Sequence, residues 1–215
     1  MYPFHISPVV REKKLNNIYC MELFEVYSKG KDITVFDVDD TLVVTKSKIK
    51  VFNPKTGYEI ELTPQEFNTF KTKAHDKFDF SDFRDLEILK GGKIIEWVFN
   101  ILKRTIAKGK AVGIITARDD AKLIYDFLSH NGVKINPDYI FAINDPSLGF
   151  TGSTAQKKKE AFMKFVQMGF RNFQFFDDDR ENIKIANSLN KELPEVKMKA
   201  TLIKQKWIPN FDDFS

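Results

Sequence analysis

The chain has 215 residues, of which 42% are hydrophobic, and this length favours one sizeable core, with or without an insertion, over two independent domains. The net charge of +4 would tolerate a polyanionic partner but does not by itself indicate one. The single cysteine, Cys20, excludes an internal disulfide framework and a multi-thiolate metal site, and it is typical of a reducing compartment.

The N-terminal stretch shows a helical pattern and no targeting signal. MYPFHISPVVREKK lacks the apolar region of a signal peptide, and no segment approaches the ~18 apolar residues of a membrane span. We therefore expect a soluble, cytoplasmic protein without membrane contact. Apolar residues recur at helical spacing over 15–29, and Gly30 ends the pattern. Cys20 is interpreted as a residue of this helix and not as a nucleophile, because no histidine stands nearby.

Short apolar runs alternate with amphipathic helices along most of the chain. The predicted strands are 33–38, 111–116, 139–143, 172–176 and 198–203, and the predicted helices between them are 93–108, 119–132, 155–168 and 180–190. Short continuous apolar strands separated by helices are typical of a parallel sheet covered on both faces. The predicted fold class is therefore α/β, a three-layer, Rossmann-like domain with about five parallel strands.

Residues 46–90 interrupt this alternation and are predicted to form a small insertion. KIKVFNP and YEIEL favour a β-hairpin that turns at Lys55-Thr56-Gly57, and TPQEFNTFKTKA has the cap residues of a helix start. The following DKFDFSDFRDLEIL alternates acids with aromatic residues. We expect a loop that packs its phenylalanines under the insertion, and a binding strip is the alternative.

Acidic residues follow two of the predicted strands. The first strand carries Asp37 and Asp39 at its carboxyl end, and residues 177–179 follow the strand at 172–176. In an open parallel sheet these strand ends lie at one edge, where ligands bind. Because like charges repel, a cation is expected between them, and Mg²⁺ fits because it takes one or two carboxylates and completes its shell with water and phosphate oxygens. One aspartate then remains available for chemistry.

Four motifs in this order resemble those of phosphohydrolases of the haloacid dehalogenase superfamily: FDVDDTLV, IITAR, a lysine at the head of a helix, and FFDDDRENI. The resemblance extends from about Ile33 to Ile203, and the first and fourth motifs are specific when they occur together. It implies a haloacid dehalogenase-like core at 1–45 and 91–215 with a small cap at 46–90. It also implies a Mg²⁺-dependent phosphatase that hydrolyses phosphomonoesters through an aspartyl-phosphate intermediate.

By this resemblance the first motif supplies the nucleophile and the acid. Asp37 would attack phosphorus, and Asp39 would protonate the leaving oxygen and later activate water. An acid at position 39 favours ester hydrolysis, because family members that are ion pumps or dehalogenases lack it. Thr41 is implied to support the loop through a bond from its hydroxyl to the backbone, close to the substrate.

The second motif is implied to bind the substrate phosphate. Thr116 matches the hydroxyl that contacts a phosphate oxygen, and the alternative, an N-cap of the helix starting near Asp119, is compatible with that role. Arg118 is expected either to contact the phosphate in bidentate fashion or to form a salt bridge with Asp119 or Asp120.

The third motif requires one lysine that holds the nucleophile and neutralises phosphoryl charge. Three lysines compete for this role, Lys157, Lys158 and Lys159. Lys158 is favoured because Phe162, Phe165 and Val166 share its face of the helix. Lys157 is the second candidate and a substrate-binding residue, and at least one of the three is expected to be solvated.

The fourth motif is implied to complete the metal site. Asp178 matches its metal ligand and Asp177 would assist directly or through water, so that the predicted metal ligands are Asp37, Asp39, Asp177 and Asp178. Asn182 stands where many relatives carry a second carboxylate, which leaves its part in the metal shell open. Asp179 or Glu181 is expected to cap the next helix, where negative charge is favourable.

The substrate is less determined than the chemistry, because one fold hosts many substrates. DVDDTL, TAR and DDR together look similar to the phosphatase domain of phage polynucleotide kinase-phosphatases, which makes a nucleotide or a nucleic-acid terminal phosphate one candidate. A small phosphorylated metabolite is the other. The chain has no GxxxxGK[ST] phosphate-binding loop of a kinase.

Two further questions stay open at the level of sequence. The lysines of the insertion either contact a nucleotide or serve as solubilising edge charges: Lys46, Lys48, Lys50 and Lys55. The hypothesis from a different class is a non-catalytic phosphate-binding or nucleic-acid-binding module on the same fold. The oligomeric state is not predicted, since the aromatic-rich insertion and the tail WIPNFDDFS fit internal packing and a dimer contact equally.

Overall fold

The computed structural model describes residues 30–204, apart from the side chains of Gln65 and Asn68. Its strands are β1 (Lys31–Phe36), β2 (Val43–Val44), β3 (Ile49–Asn53), β4 (Tyr58–Leu62), β5 (Lys77–Asp79), β6 (Lys93–Ile94), β7 (Ala111–Thr116), β8 (Ile140–Ala142), β9 (Phe170–Asp177) and β10 (Lys197–Leu202). Its helices are α1 (Pro64–Thr69), α2 (Leu86–Lys90), α3 (Glu96–Ala107), α4 (Ala121–His130), α5 (Thr154–Gln167) and α6 (Arg180–Glu192). The predicted helix at 15–29, Cys20 and the tail at 207–215 lie outside the described residues.

The central sheet has five strands in the order β10-β9-β1-β7-β8. Every neighbouring pair in it is parallel. Such pairs need crossover connections, and helices α3, α4, α5 and α6 supply them. The predicted α/β class with about five parallel strands is confirmed.

Helices cover both faces of this sheet. On one face α3 and α4 place Phe99 and Phe127 against Ile114 of β7 in one buried cluster. On the other face α5 places Phe165 in a second cluster with Phe175 of β9, to which α6 also contributes. Burial of each such side chain is worth about 1.5–3 kcal/mol, so the two clusters hold the three layers together.

The order of the strands places a switch point beside β1. The chain leaves β1 toward β7 and β8 on one side and returns to β9 and β10 on the other. Asp37 directly follows β1 and Asp177 ends β9, so both acids lie at the carboxyl ends of adjacent strands. The Asp37 N–H donates to the Phe176 carbonyl at 3.0 Å, which holds the two strand ends together. Ligands of open α/β sheets bind at this position.

A separate antiparallel sheet, β4-β3-β5, forms within the insertion. β3 and β4 pair as a hairpin, and the Asn53 side chain accepts the N–H groups of Lys55 and Thr56 at its turn. α1 begins with a capping box in which Thr63 and Glu66 satisfy each other's backbone N–H groups. The predicted hairpin and helix start are confirmed.

The stretch that follows α1 differs from the prediction of a loop. Residues 77–79 form β5, which pairs with β3, and residues 86–90 form α2. Three residues are too few to show a strand period, and their partner strand lies more than twenty residues earlier. Leu89 of α2 is fully buried in the cluster that α4 joins, so α2 packs on the core.

No helix between residues 30 and 204 is long and apolar enough to cross a membrane.

Candidate active site

A buried lysine links the two acidic strand ends at the switch point. Lys158 Nζ lies 2.7 Å from Asp37 Oδ1 and 2.6 Å from Asp177 Oδ2. All three residues are buried, with Lys158 2% exposed and Asp37 5% exposed. Lys158 reaches them from the first turns of α5, whose Phe162 and Phe165 anchor the same face in the core. Of the three candidate lysines, Lys158 is the one that contacts Asp37.

Lys157 and Lys159 have other partners. The Lys157 ammonium donates to Asn144 Oδ1 at 2.8 Å, in the loop after β8. Lys159 forms a salt bridge with Glu192 at 2.5 Å on α6. These bonds hold Lys157 and Lys159 to residues other than Asp37 and Asp177.

The carboxylates around Lys158 outnumber it. Burial raises the pKa of Asp37 well above its ordinary value; Lys158 opposes this shift, and Asp177 and Asp178 add to it. Burial, Asp177 and Asp40 raise the pKa of Asp178 to about 7. Burial alone would lower the pKa of Lys158, but Asp177 and Asp37 outweigh it and raise that pKa, so the lysine stays charged.

Asp177 is fully enclosed by donors. Besides the bond from Lys158, both of its oxygens accept from Asn182 Nδ2, at 3.0 and 3.1 Å, and Oδ1 also accepts the Asp179 N–H at 2.8 Å. Its side chain is 0% exposed and does not line the cavity that Asp37 and Lys158 face. Asp177 therefore positions Lys158, and Asn182 positions Asp177. Asp179 caps α6, as predicted, by accepting the N–H groups of Glu181 and Asn182.

The loop after Asp37 is a tight turn around one carbonyl. The Val38 oxygen accepts the N–H groups of residues 41, 42 and 43, and Asp40 takes a left-handed conformation with φ 58°. Thr41 is buried, and its hydroxyl donates to Asp178 Oδ1 at 3.4 Å. The predicted bond from Thr41 to the backbone is thus replaced by a bond to a side chain, which joins the first acidic strand end to the fourth motif.

Asp39 forms a bidentate ion pair with Arg118. Arg118 Nε and Nη2 donate to its two oxygens at 2.9 and 2.8 Å, and the arginine side chain is almost fully buried. The predicted salt bridge from Arg118 to Asp119 or Asp120 is wrong. Asp119 pairs instead with Arg84 of the insertion, and Asp120 caps α4 by accepting the Leu123 N–H.

Thr116 ends β7 with its side chain buried. Its hydroxyl oxygen accepts the Arg118 N–H at 3.3 Å, which shapes the turn that follows the strand. The alternative role as a helix cap is not observed, since Asp120 holds that place. Ala117, the next residue, lines the same cavity as Asp37 and Lys158.

A cavity of about 540 Å³ opens above these residues, a volume typical of ligand sites. Asp37, Asp39, Asp178 and Lys158 line it, together with Ser153 and Thr154 at the start of α5. A second cleft of about 500 Å³ shares Asp39, Pro64, Ala117 and Thr154 with it and extends under the insertion. The acidic site therefore continues into a space that the insertion covers.

The donor set at this cavity fits a hard divalent cation. Asp37 and Asp178 face the cavity, and burial together with the neighbouring Asp177 raises the pKa of both against the opposing effect of Lys158. Within residues 30–204 no three acidic, histidine or cysteine side chains form a ready-made metal cluster. Mg²⁺ needs only one or two carboxylates beside water and substrate oxygens, so Asp37 and Asp178 suffice.

Three functional features were not predicted from sequence. The pairing of Arg118 with Asp39 and the aromatic cleft under the insertion depend on contacts between distant segments, whereas the anchoring of Asp177 by Asn182 joins residues five apart at the start of α6. The alternation of acids and aromatic residues at 76–84 was the one available signal for the cleft.

Comparison with known proteins adds little to this geometry. No protein-family model matches the chain, and no curated protein matches it. A protein of Vibrio cholerae assigned as a 3-deoxy-D-manno-octulosonate 8-phosphate phosphatase aligns with a TM-score of 0.31 and 14% identity over 75% of this chain, which spans 63% of that structure. The HAD domain of the effector protein Lem4 from Legionella pneumophila aligns with a TM-score of 0.45 and 16% identity, over 86% of this chain and 91% of that one. Similarity at this level carries no argument about activity.

Proposed function

We propose that the chain is a haloacid dehalogenase-like phosphohydrolase that cleaves phosphomonoesters at Asp37. The observation that carries this proposal is the buried Asp37–Lys158–Asp177 arrangement, which stands at the switch point and faces a cavity of about 540 Å³. A charged lysine beside a carboxylate supports attack on a phosphoryl group, because it offsets the negative charge that gathers in the transition state.

The reaction assigns one role to each of two aspartates. The Asp37 oxygen attacks phosphorus, the bond from phosphorus to the ester oxygen breaks, and Asp39 gives its proton to the leaving alcohol. A water molecule then loses a proton to Asp39, attacks phosphorus and releases inorganic phosphate from Asp37. Lys158 stays protonated throughout and is held in place by Asp177.

The ion pair between Asp39 and Arg118 has to open for this cycle. In the structure both oxygens of Asp39 accept bonds from the guanidinium, so the acid that the cycle needs is engaged by Arg118. On release, Arg118 would be free to bind two substrate oxygens in the same bidentate fashion. Thr116 would act by shaping the turn that carries Arg118.

Mg²⁺ would be held by Asp37 and Asp178. When bound, it supplies positive charge to the phosphoryl oxygens. Asp177 has its oxygens occupied by Lys158, Asn182 and the Asp179 N–H, so we assign it to positioning Lys158. The substrate is proposed to be a nucleotide or a nucleic-acid terminal phosphate, with a small phosphorylated metabolite as the alternative.

The test is turnover of a panel of phosphomonoesters that includes p-nitrophenyl phosphate, mononucleotides and oligonucleotides phosphorylated at the 3′ or 5′ end. Asp37→Asn is expected to lower kcat by at least about 10³-fold, because an amide is not a nucleophile here. EDTA is expected to silence the wild type, and magnesium to restore it.

Asp32→Asn is the matched control for this substitution. It changes an exposed aspartate at the opposite end of the same strand, and we expect unchanged turnover. A wild type that hydrolyses no member of the panel in magnesium, while it still binds inorganic phosphate, would favour the non-catalytic binding module instead.

A further inference from the structure

The cleft beside the catalytic cavity has a wall of aromatic side chains. Phe67, Phe80 and Phe83 come from the insertion and line this space of about 500 Å³. It joins the cavity above Asp37 through residues that line both, among them Asp39 and Ala117. A group attached to a phosphate bound near Asp37 therefore lies next to the cleft.

The aromatic wall keeps ring surface accessible. Phe67 and Phe80 meet edge to face with centroids 5.6 Å apart, and Phe80 and Phe83 are tilted at 6.4 Å. Phe80 is nevertheless 41% exposed. An exposed large apolar side chain on the wall of a concave site gains burial energy when a ligand covers it.

Arg118 fixes the aromatic wall relative to the acidic site. Its guanidinium lies 5.2 Å from the centroid of the Phe83 ring, and Nη1 donates to the Phe83 carbonyl at 2.6 Å. The same side chain holds Asp39. The bond from Arg84 to Asp119 ties the next residue of the insertion to the core. The cleft is thus a built part of the site.

We propose that this cleft binds a planar aromatic group on the leaving alcohol of the substrate, such as the base of a nucleotide. A flat ring gains offset or edge-to-face contacts with phenylalanine, whereas a sugar phosphate leaves the aromatic wall in water. The assignment of the substrate class rests on the proposed phosphatase function. The binding preference itself does not require turnover.

AMP and ribose 5-phosphate form the matched pair of probes, because they carry the same phosphate and differ by the base. Binding is measured by calorimetry to Asp37→Asn, which separates binding from reaction. We expect AMP to bind about tenfold more tightly than ribose 5-phosphate, as for one base stacked on an aromatic side chain.

Two substitutions in this background locate the preference. Phe80→Ala is expected to remove most of the tenfold ratio, and Phe80→Tyr to retain it. Phe52→Ala is the control, since Phe52 belongs to the same insertion, is 42% exposed and does not line the cleft. Equal affinities for AMP and ribose 5-phosphate, or an equal effect of Phe80→Ala and Phe52→Ala, would overturn the proposal.

Turnover of both compounds by the wild type separates this proposal from the proposed reaction. Preferred hydrolysis of AMP supports both. Preferred binding of AMP without hydrolysis of any phosphomonoester supports the cleft and counts against the phosphatase. Hydrolysis of both compounds with equal kcat/KM, together with equal binding, supports the phosphatase activity and overturns the proposal that the cleft binds an aromatic group.

Discussion

At the scale of single residues, the candidate site contains more carboxylates than positively charged side chains. Lys158 stands between Asp37 and Asp177, and Asp178 borders the same cluster with its pKa raised to about 7. Arg118 forms a salt bridge with Asp39. The negative charge left over is unfavourable in the folded protein unless a divalent cation binds, and this gives a measurement that does not depend on activity.

Asp178→Asn is expected to stabilise the protein in EDTA. Above pH 7 the substitution removes one half-buried like charge, and the amide oxygen still accepts the bond from Thr41. We expect a gain of about 1–2 kcal/mol in the free energy of unfolding, measured with urea at pH 8.

Magnesium should reverse this order. A cation that binds only the folded state raises stability by mass action, and the wild type keeps the second carboxylate that the variant lacks. Asp32→Asn, at the far end of β1, is the control and should respond to magnesium as the wild type does. A variant less stable than the wild type in EDTA would contradict the charge argument.

At the scale of elements, the position of α5 decides where Lys158 points. α5 packs on the sheet through Phe165, and Gly113 in β7 makes room for that ring. A Cβ at residue 113 would lie 2.6 Å from Phe165 Cζ and 3.1 Å from Ile33 Cδ1. Because Phe165 and Lys158 share a face of α5, a shift of the ring moves the lysine relative to Asp37.

Gly113→Ala is therefore expected to destabilise the protein by about 1–3 kcal/mol, the usual cost of overpacking a buried site. Thermal unfolding measures this loss. Phosphatase turnover should fall as well, since α5 tilts. Gly91→Ala is the control, because Gly91 ends α2 with φ −73°, a conformation open to alanine. An unchanged Tm for Gly113→Ala would show that α5 does not rest on this glycine.

At the scale of the whole molecule, the insertion and the core are joined by a narrow stem. Ser47 Oγ lies 3.4 Å from the Asp82 carbonyl, and the Lys48 N–H donates to Asp82 Oδ2 at 3.0 Å, so the insertion enters and leaves at neighbouring points. Its three-stranded sheet shares no strand pairing with the five-stranded sheet in the described residues. The core clusters draw on α2 but not on β3, β4 or β5.

Replacing residues 49–81 with a short Gly-Ser linker is expected to leave a core that still unfolds cooperatively. The variant keeps Leu86 and Leu89, which pack in the core cluster. It should lose the preference for AMP over ribose 5-phosphate, because Phe67 and Phe80 are removed. Circular dichroism and calorimetry measure the two effects. Loss of cooperative unfolding would show that the insertion is part of the folding unit.

Local patterns were enough to predict the elements that carry the site. The alternation of short apolar strands with amphipathic helices predicted the parallel sheet, and Thr63 with Glu66 predicted the start of α1. The helix periodicity around Lys158 singled it out from Lys157 and Lys159. Helix capping involves residues that are near in sequence, and the apolar face of a helix shows as a periodic pattern. Both signals can therefore be read from one sequence.

The partners within the site were decided by tertiary structure. Lys158 and Asp37 are 121 residues apart, and Arg118 and Asp39 are 79 residues apart. Arg118 was expected either to contact the substrate phosphate or to pair with Asp119 or Asp120, and the packing of the turn after β7 directs it to Asp39. Strand order and helix packing bring such side chains together, and neither is encoded in any short stretch. Residue types and spacing therefore predicted which charged side chains lie at the ends of the strands, and only the assembled sheet decided which of these charges meet.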